Sequence, residues 1–272
     1  MAHEGAYIMK IHHVRNATFV IESGAHHLLI DPMLSDKGAL PPFARYRHKA
    51  RRNPRVPLPE NAPHILGNVT TCLITHSQKF GLKGLQHTDH LDEAGASFLR
   101  ENRIPVVCRR QDEAFLKKEG LYVETPLDYW QPKGFRGGAI TAVPAQHGHG
   151  WVHHVMANGA GFYLQLPGEP SIYIAGDTVF TKEVERALTE LKPDIAVVAA
   201  GGASLDVGGP ILMTLDEILA FVKAAPGMVV ANHLEALNHC PTTRGQLKEA
   251  LVTSGLMPKT LIPDDGETLE FV

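Results

Sequence analysis

Short apolar runs that each end in a histidine or an aspartate constrain this chain more than any other feature. Val69–Ile74 leads to His76, and the cluster His87-Thr88-Asp89-His90 follows a few residues later. Three later apolar runs are followed in the same way by His147, Asp177 and His233. Short runs of apolar and β-branched residues predict strands, and a rigid sheet can hold side chains at its strand ends in a shared cleft.

The composition favours a globular protein with a reduced interior. With 272 residues, of which 44% are hydrophobic, the chain can build one large core or two modest ones. We find no linker and no internal repeat, which predicts a single domain over residues 1–272. No apolar stretch approaches the roughly 18 residues of a membrane helix, and the N-terminus has no secretory-signal pattern. Three widely spaced cysteines without a CxxC pair predict reduced thiols and a cytoplasmic location.

The order of strand and helix patterns predicts two sheets face to face with helices on their outer faces. The first third of the chain has a strand pattern up to Asp31. Residues 32–66 contain seven prolines and little periodicity, which indicates a long surface excursion or lid. Strands and helices then alternate, with one predicted helix over Asp89–Asn102 that opens at the histidine cluster. Asp265-Gly266 predicts a turn in a final hairpin that joins Leu261–Ile262 to Thr268–Phe271.

The strand-end residues are of the kind that binds metal ions. Nitrogen and carboxylate ligands without cysteine suit Zn, Mn, Fe or Co, and two ions about 3.5–4 Å apart can activate a bridging water. Asp177 can bridge two ions because a carboxylate has two oxygens. Asp89 can bind the second ion and also take up a proton during turnover. Asp31, at the end of Leu28-Leu29-Ile30, is a candidate partner that orients a ligating histidine.

These residues resemble the metallo-β-lactamase fold superfamily, and most closely its branch that contains the ascorbate-6-phosphate lactonase. The resemblance rests on Thr75-His76, His87-Thr88-Asp89-His90-Leu91-Asp92, Pro144-Ala145-Gln146-His147, Ala175-Gly176-Asp177-Thr178 and the late strand before His233. It implies an α/β fold, an αββα sandwich of two mixed β-sheets, and two divalent ions, Zn or Mn or else Fe. It further implies His87 and His147 on the first ion, Asp89, His90 and His233 on the second, and Asp177 between them.

The chain departs from the pattern of the family at two positions. The family usually supplies one more histidine to the first ion, where this chain has Leu85. We interpret Ser77–Gln86 as an insertion that splits the motif, with His76 as the displaced ligand; if His76 does not reach, one ion is expected. The second departure is Asn16, where the lactonase-like branch often has a histidine.

Other polar residues near the strand ends are candidates for contact with substrate. The predicted set is His149, His153, Glu235 and Arg51. Two alternatives to the ligands also stay open, because His149 could replace His147 and His239 could replace His233. The acid-free basic loop over residues 45–55 could attract an anionic substrate, although a solvated, mobile lid is the favoured explanation.

We therefore predict a metal-dependent hydrolase that acts on a small ester, lactone or phosphoester, including an anionic one. A nuclease or phosphodiesterase of the same fold is one alternative, and a non-catalytic metal-binding scaffold is another. The formal net charge of −3 shows no nucleic-acid signature. We expect a small-molecule substrate as the partner, with neither nucleic acid nor membrane, and the sequence leaves a homo-oligomer open.

Overall fold

The computed structural model describes residues 8–78 and 87–271 as two mixed sheets. In chain order the strands are β1 Met9–Arg15, β2 Thr18–Ser23, β3 His26–Ile30, β4 Thr71–Ile74, β5 Val106–Arg109, β6 Val123–Leu127, β7 Lys133–Phe135, β8 Gly138–Ala145, β9 Gly159–Gln165, β10 Ile172–Ile174, β11 Ile195–Ala199, β12 Met228–Asn232, β13 Thr260–Leu261 and β14 Thr268–Phe271. The first sheet has the order β14-β1-β2-β3-β4-β5-β6, and the second has the order β13-β12-β11-β10-β9-β8-β7.

The helices are short and lie between the strands in the sequence. They are α1 Ala62–Leu66, α2 Glu93–Glu101, α3 Arg110–Lys118, α4 Lys182–Arg186, α5 Leu215–Ala224 and α6 Arg244–Thr253. A π-helical turn, Ala187–Leu191, continues α4, and two 3-10 turns cover Val152–His154 and Met257–Lys259. No helix of the described residues is long and apolar enough to cross a bilayer.

The alternation of side chains along each strand builds the layers. Phe19 and Ile21 of β2 pack in the core between the two sheets, whereas Val20 packs under the helices of the first sheet. In β11, Val197 faces the central core and Val198 packs with the helices of the second sheet. Because successive side chains of a strand point to opposite faces, each sheet is covered on both sides. The predicted αββα sandwich is confirmed.

Two predicted elements differ from the structure. The helix predicted over Asp89–Asn102 begins only at Glu93, because the Asp92 carboxylate accepts a hydrogen bond from the Gly95 N–H at 2.7 Å and caps the helix there. The histidine cluster is therefore in the turn before α2. The final hairpin is also wrong, because β13 pairs in parallel with β12 in the second sheet while β14 pairs with β1 in the first.

The proline-rich excursion, residues 32–66, is held at its start and again at Val56 by one buried arginine. The guanidinium of Arg15, which is fully buried, donates hydrogen bonds to the carbonyl oxygens of Met33 and Ser35, both at 2.8 Å, and of Val56 at 3.0 Å. These contacts bring the start of the excursion and the segment at Val56 to the carboxyl end of β1. The excursion thereby lies beside the strand ends that carry the predicted ligands.

Candidate metal centre

Strand ends from both sheets meet at one end of the sandwich. His76 follows β4 of the first sheet, and His147, Asp177 and His233 follow β8, β10 and β12 of the second. The turn before α2 adds His87, Asp89 and His90. The structure therefore brings all the predicted ligands together, although they span more than half of the sequence.

The ligand atoms form two groups. His76, His87 and His147 make the first group, and Asp89, His90, Asp177 and His233 make the second; in each group the ligand atoms lie within 4.8 Å of one another. Oδ2 of Asp177 is 3.0 Å from Nε2 of His90 and 3.6 Å from Nε2 of both His147 and His233. Asp177 therefore lies between the two groups, where a bridging ligand has to be.

His76 lies inside the cluster even though the motif is split in the sequence. Its ring centroid is 4.5 Å from that of His87 and 4.2 Å from that of His90. The His87 N–H donates a hydrogen bond of 2.8 Å to the Ser77 carbonyl, so the chain returns beside the point where it left. Residue Leu85, at the position of the expected histidine, lies outside the described residues.

Hydrogen bonds to the outer ring nitrogens orient several of the imidazoles. Nδ1 of His90 donates to Asp31 at 2.9 Å, and Nδ1 of His147 donates to the Ile211 carbonyl at 2.8 Å. Nδ1 of His76 is 3.0 Å from the Thr75 hydroxyl, which itself donates to Asp31 at 2.7 Å. Such outer contacts fix the tautomer and the direction of a ligating ring, and here they turn Nε2 toward the centre.

Asn16 joins two parts of the second group. Its side-chain N–H donates to the backbone carbonyl of Asp89 at 3.1 Å, and its own carbonyl accepts the backbone N–H of His233 at 2.9 Å. The residue is fully buried and has a left-handed backbone with φ of 58°, a conformation that asparagine tolerates better than most residues. The departure at position 16 is therefore a residue that positions its neighbours.

The cluster has the donor atoms that a cation requires. Nε2 of His76, His90 and His233 and Oδ1 of Asp177 are buried without a hydrogen-bond partner. Nε2 of His90 lies 3.0 Å from Oδ2 of Asp177, but the contact does not have the geometry of a hydrogen bond. Buried polar atoms without partners are rare because each one costs free energy. Divalent ions between these atoms would satisfy them together, so the residues fit the implied metal.

Burial keeps the first group neutral. Desolvation, reinforced by the neighbouring imidazoles His90 and His87, holds the pKa of His76 well below its ordinary value. Desolvation and the nearby His147 lower the pKa of His87 to about 3. Desolvation likewise lowers the pKa of His147. Neutral imidazole is the form that binds a metal ion, so these rings are ready to act as ligands near neutral pH.

The second group contains two buried carboxylates, Asp89 and Asp177. Burial alone would raise the pKa of Asp177, but the nearby His90 and His233 hold it well below its ordinary value. Burial alone would lower the pKa of His90, yet Asp177, Asp31 and Asp89 raise it well above its ordinary value. The carboxylates that stabilise a proton on His90 would stabilise a metal cation in the same way.

A cavity of about 350 Å³ opens directly above the cluster. Its lining residues are Pro42, Phe43, His87, Thr88, Asp89, His147, Val155, Met156, Leu205, Ile211 and His239. Sequence reasoning missed most of them, because segments distant in the chain supply the wall. Phe43 comes from the proline-rich excursion, and its ring packs edge-on against His239 at a centroid distance of 5.3 Å. Apart from His147 and the residues of the His87-Thr88-Asp89-His90 motif, only His239 had a signal in the sequence, as the alternative to His233; it faces the cavity and is outside both ligand groups.

The side chains predicted to contact substrate are held elsewhere. His149, His153, Glu235 and Arg51 are not among the lining residues. His149 pairs with Glu217 at 2.9 Å, and Glu235 pairs with Arg244 at 2.7 Å. Arg51 is exposed on the excursion, and His153 is half-buried in a turn. Contact of these four residues with substrate stays a prediction, whereas other residues line the cavity.

Comparisons with known proteins agree with the fold and with a metal-dependent hydrolase. The sequence family described as "Beta-lactamase superfamily domain" matches residues 26–233. The UPF0173 protein YddR of Bacillus subtilis is 31% identical over 97% of this chain and 100% of its own. The UPF0173 metal-dependent hydrolase Ta0764 of Thermoplasma acidophilum is 28% identical over 91% of this chain and 92% of its own. The crystal structure of an isothiocyanate hydrolase from gut bacteria of Delia radicum is 33% identical, has a TM-score of 0.85 and covers 97% of this chain and 99% of its own.

The fold and the buried histidine–aspartate cluster are those of a metallo-hydrolase. The chain belongs to the β-lactamase superfamily domain family, and within it to the UPF0173 group, whose members include proteins named metal-dependent hydrolases.

Proposed function

We propose that this metal-dependent hydrolase acts on a small uncharged electrophile, and that an organic isothiocyanate is the first candidate substrate. The observation that carries the proposal is the lining of the cavity above the metal cluster. Among its described lining residues there is neither lysine nor arginine. Burial lowers the pKa of His239 to about 4, so that ring is also neutral near pH 7. An anionic substrate would find no positively charged side chain in this wall.

The apolar part of the wall favours a substrate with a hydrocarbon group. Phe43, Val155, Met156, Leu205 and Ile211 face the cavity opposite the polar floor. A volume of about 350 Å³ is at the lower end of the range for small-molecule sites. Isothiocyanates combine an uncharged, electrophilic carbon with an apolar group. The isothiocyanate hydrolase that is 33% identical to this chain supports the same choice.

The proposed ligand assignment follows the two groups. His76, His87 and His147 would hold the first ion, Asp89, His90 and His233 the second, and Asp177 would bridge them. Bound divalent ions, with Zn, Mn and Fe as candidates, would supply a water molecule deprotonated near neutral pH and would stabilise developing negative charge. The isothiocyanate would gain one water to give a thiocarbamic acid, which releases an amine and carbonyl sulfide.

Asp89 and Asp31 would have separate roles in this reaction. Asp89 lines the cavity and belongs to the second group, so its carboxylate can take the proton that the attacking water loses. Asp31 lies outside the cavity lining, and through its contacts to Thr75 and His90 it would orient ligands of both groups. His239 and Phe43 would exclude water and shape the pocket around the apolar group.

Neutral esters and lactones are the second candidate class, in keeping with the resemblance to the lactonase branch. They place an uncharged carbonyl carbon where the isothiocyanate carbon would lie, and the same wall accommodates them. Phosphoesters and phosphorylated lactones are less favoured because the described wall has no lysine or arginine to assist the ions in binding a phosphate. The same absence weighs against a nuclease or phosphodiesterase. A non-catalytic scaffold is disfavoured because both ligand groups are assembled, with His76 in the first group although Leu85 stands at the position of the expected histidine.

Hydrolysis by metal-loaded protein tests the proposal. Protein stripped with a strong chelator and reloaded with Zn, Mn or Fe would be given benzyl isothiocyanate, phenyl acetate and p-nitrophenyl phosphate. We expect metal-dependent loss of the isothiocyanate with equimolar amine, and the largest kcat/KM for that substrate. A kcat/KM that is largest for the phosphate would overturn the substrate class, and turnover by fully stripped protein would overturn the metal mechanism. The same assay compares Asp177→Asn with a matched control, Asp216→Asn, which changes an exposed carboxylate in α5.

A further inference from the structure

Exposed apolar side chains gather around the mouth of the cavity. Of the seven large hydrophobic residues that are exposed among the described residues, four lie there: Tyr46, Trp151, Val155 and Val207, with exposures of 90%, 58%, 58% and 72%. We call these four the apolar rim. Single exposed hydrophobic residues are common on soluble proteins, but a group of them marks a binding surface.

Specific contacts bring the segments of the rim together. The Asp206 carboxylate accepts the backbone N–H groups of Arg45, Tyr46 and Arg47 at 2.8–3.0 Å, which places Tyr46 beside Val207. A Cβ built on Gly208 would lie 3.7 Å from Cζ2 of Trp151. The 205–208 segment therefore contacts both the excursion and the 151–156 segment at the rim.

The rim continues the apolar wall of the cavity. Val155 belongs to both, because it lines the cavity and is still more than half exposed. Leu205 lines the cavity two residues before Val207, and Phe43 lines it three residues before Tyr46. In each of the three segments an exposed apolar residue thus lies within four residues of a residue that lines the cavity.

We infer that the apolar rim is a binding subsite for the hydrocarbon tail of the substrate, an alkyl or arylalkyl chain that extends out of the cavity. The inference deepens the proposed function, because the reacting carbon would lie at the metal floor and the tail would lie on Tyr46, Trp151 and Val207. It makes the enzyme selective for long-chain over short-chain substrates.

The expected selectivity follows from the area that leaves water. Complete burial of one methylene group is worth about fourfold in affinity. A chain that lies on an open rim is covered on one side only, so about twofold for each added methylene is expected. This gain should begin once the chain is long enough to leave the cavity.

Binding of an unreactive series tests the rim separately from hydrolysis. The probes are N-alkylthioureas from methyl to octyl, neutral analogues of the isothiocyanates, titrated calorimetrically into the metal-loaded protein. In the unmodified chain we expect the dissociation constant to fall about twofold for each methylene among the longer probes. In Tyr46→Ser and Trp151→Ser the ratio of the methyl to the octyl dissociation constant should shrink several-fold. This ratio is insensitive to the fraction of folded protein.

Matched controls come from exposed hydrophobic residues elsewhere in the chain. Tyr122→Ser and Val252→Ser, at 62% and 58% exposure, should leave the chain-length dependence unchanged. The inference would be overturned if all probes bound equally or if none bound. It would also be overturned if Tyr46→Ser and Tyr122→Ser had equal effects. Self-association that is lost in Trp151→Ser, measured by analytical ultracentrifugation, would instead identify the rim as an interface between two copies. Chain-length-dependent binding without isothiocyanate hydrolysis would overturn the proposed reaction and leave the tail subsite standing.

Discussion

The two ligand groups differ in charge and in the way the fold holds them. The first consists of three neutral imidazoles, and the side chain of His87 is 12% exposed toward the cavity. The second contains two carboxylates, Asp89 and Asp177, and its His90 side chain is fully buried. A divalent cation gains far more from two buried carboxylates than from neutral rings. The second group should therefore hold its ion more tightly than the first.

The difference extends to the supports of the ligands. Asn16 fixes the backbones of Asp89 and His233, and Asp31 directly fixes His90. In the first group the His76 ring contacts Asp31 only indirectly. Its Nδ1 is hydrogen-bonded to the Thr75 hydroxyl, which in turn donates to Asp31. The two groups thus share Asp31 and Asp177, and variants at these two residues should affect both ions.

The largest effect is expected for Asp177→Asn, which removes the bridge. The amide keeps the volume but loses the negative charge within 3.6 Å of ligands in both groups. We expect both ions to bind weakly and kcat/KM to fall by about a thousandfold or more, in line with the loss of a charge that stabilises the transition state. Elemental analysis after dialysis measures the first effect. Full occupancy of both sites in this variant would show that Asp177 does not bridge.

His76→Ala tests the first group alone. We expect the protein to keep the second ion and lose the first, so that metal content falls from two to one for each chain. His149→Ala is the matched control, because His149 is a partly exposed histidine outside both groups. An unchanged metal stoichiometry in His76→Ala would contradict the interpretation that His76 is the displaced ligand of the split motif.

That the candidate ligands meet could be predicted, because strand ends are a local feature of the sequence, whereas the way these side chains are held could not. The apolar runs before His147, Asp177 and His233 indicate where each strand stops, and the layers bring those ends together. The position of His76 depends on the hydrogen bond between Ser77 and His87, which no periodicity encodes. The cavity wall needs Phe43 against His239, a contact between segments that are far apart in the chain. The prediction of a final hairpin was wrong because Asp265-Gly266 indicates a turn but does not indicate which sheet each flanking strand joins.

Asp31→Asn should weaken metal binding by both groups, but by a smaller factor than Asp177→Asn does. The variant keeps the shape of the side chain but removes the charge that accepts hydrogen bonds from His90 and Thr75. Loss of such an outer partner typically costs about 10- to 100-fold in metal affinity or activity. Competition with a chromophoric chelator measures the two affinities separately. A loss confined to one ion would show that the relay through Thr75 to His76 does not operate.

Asn16 supports only the second group, so its variants should separate the two ions. Asn16→Gly removes the hydrogen bond to the Asp89 carbonyl but accepts the left-handed backbone, and we expect about 1 kcal/mol less stability. Asn16→Ala adds the cost of φ at 58°, about 1 kcal/mol more. Thermal unfolding with and without metal measures both. The second ion should be released more readily while the first is retained. Equally weakened binding of both ions would contradict the inference that Asn16 supports only the second group.

The smallest effect is expected for Arg51→Ala, which lies outside both groups and the cavity wall. Its guanidinium is exposed on the excursion, where salt screens it beyond a Debye length of about 8 Å at physiological ionic strength. We expect kcat/KM for a neutral substrate to stay within about twofold, and neither ion to be lost, because no described ligand atom depends on this charge. Steady-state rates at low and high salt, with neutral and anionic esters of equal size, measure the effect. A salt-dependent loss confined to the anionic ester would show that the basic loop attracts charged substrates after all.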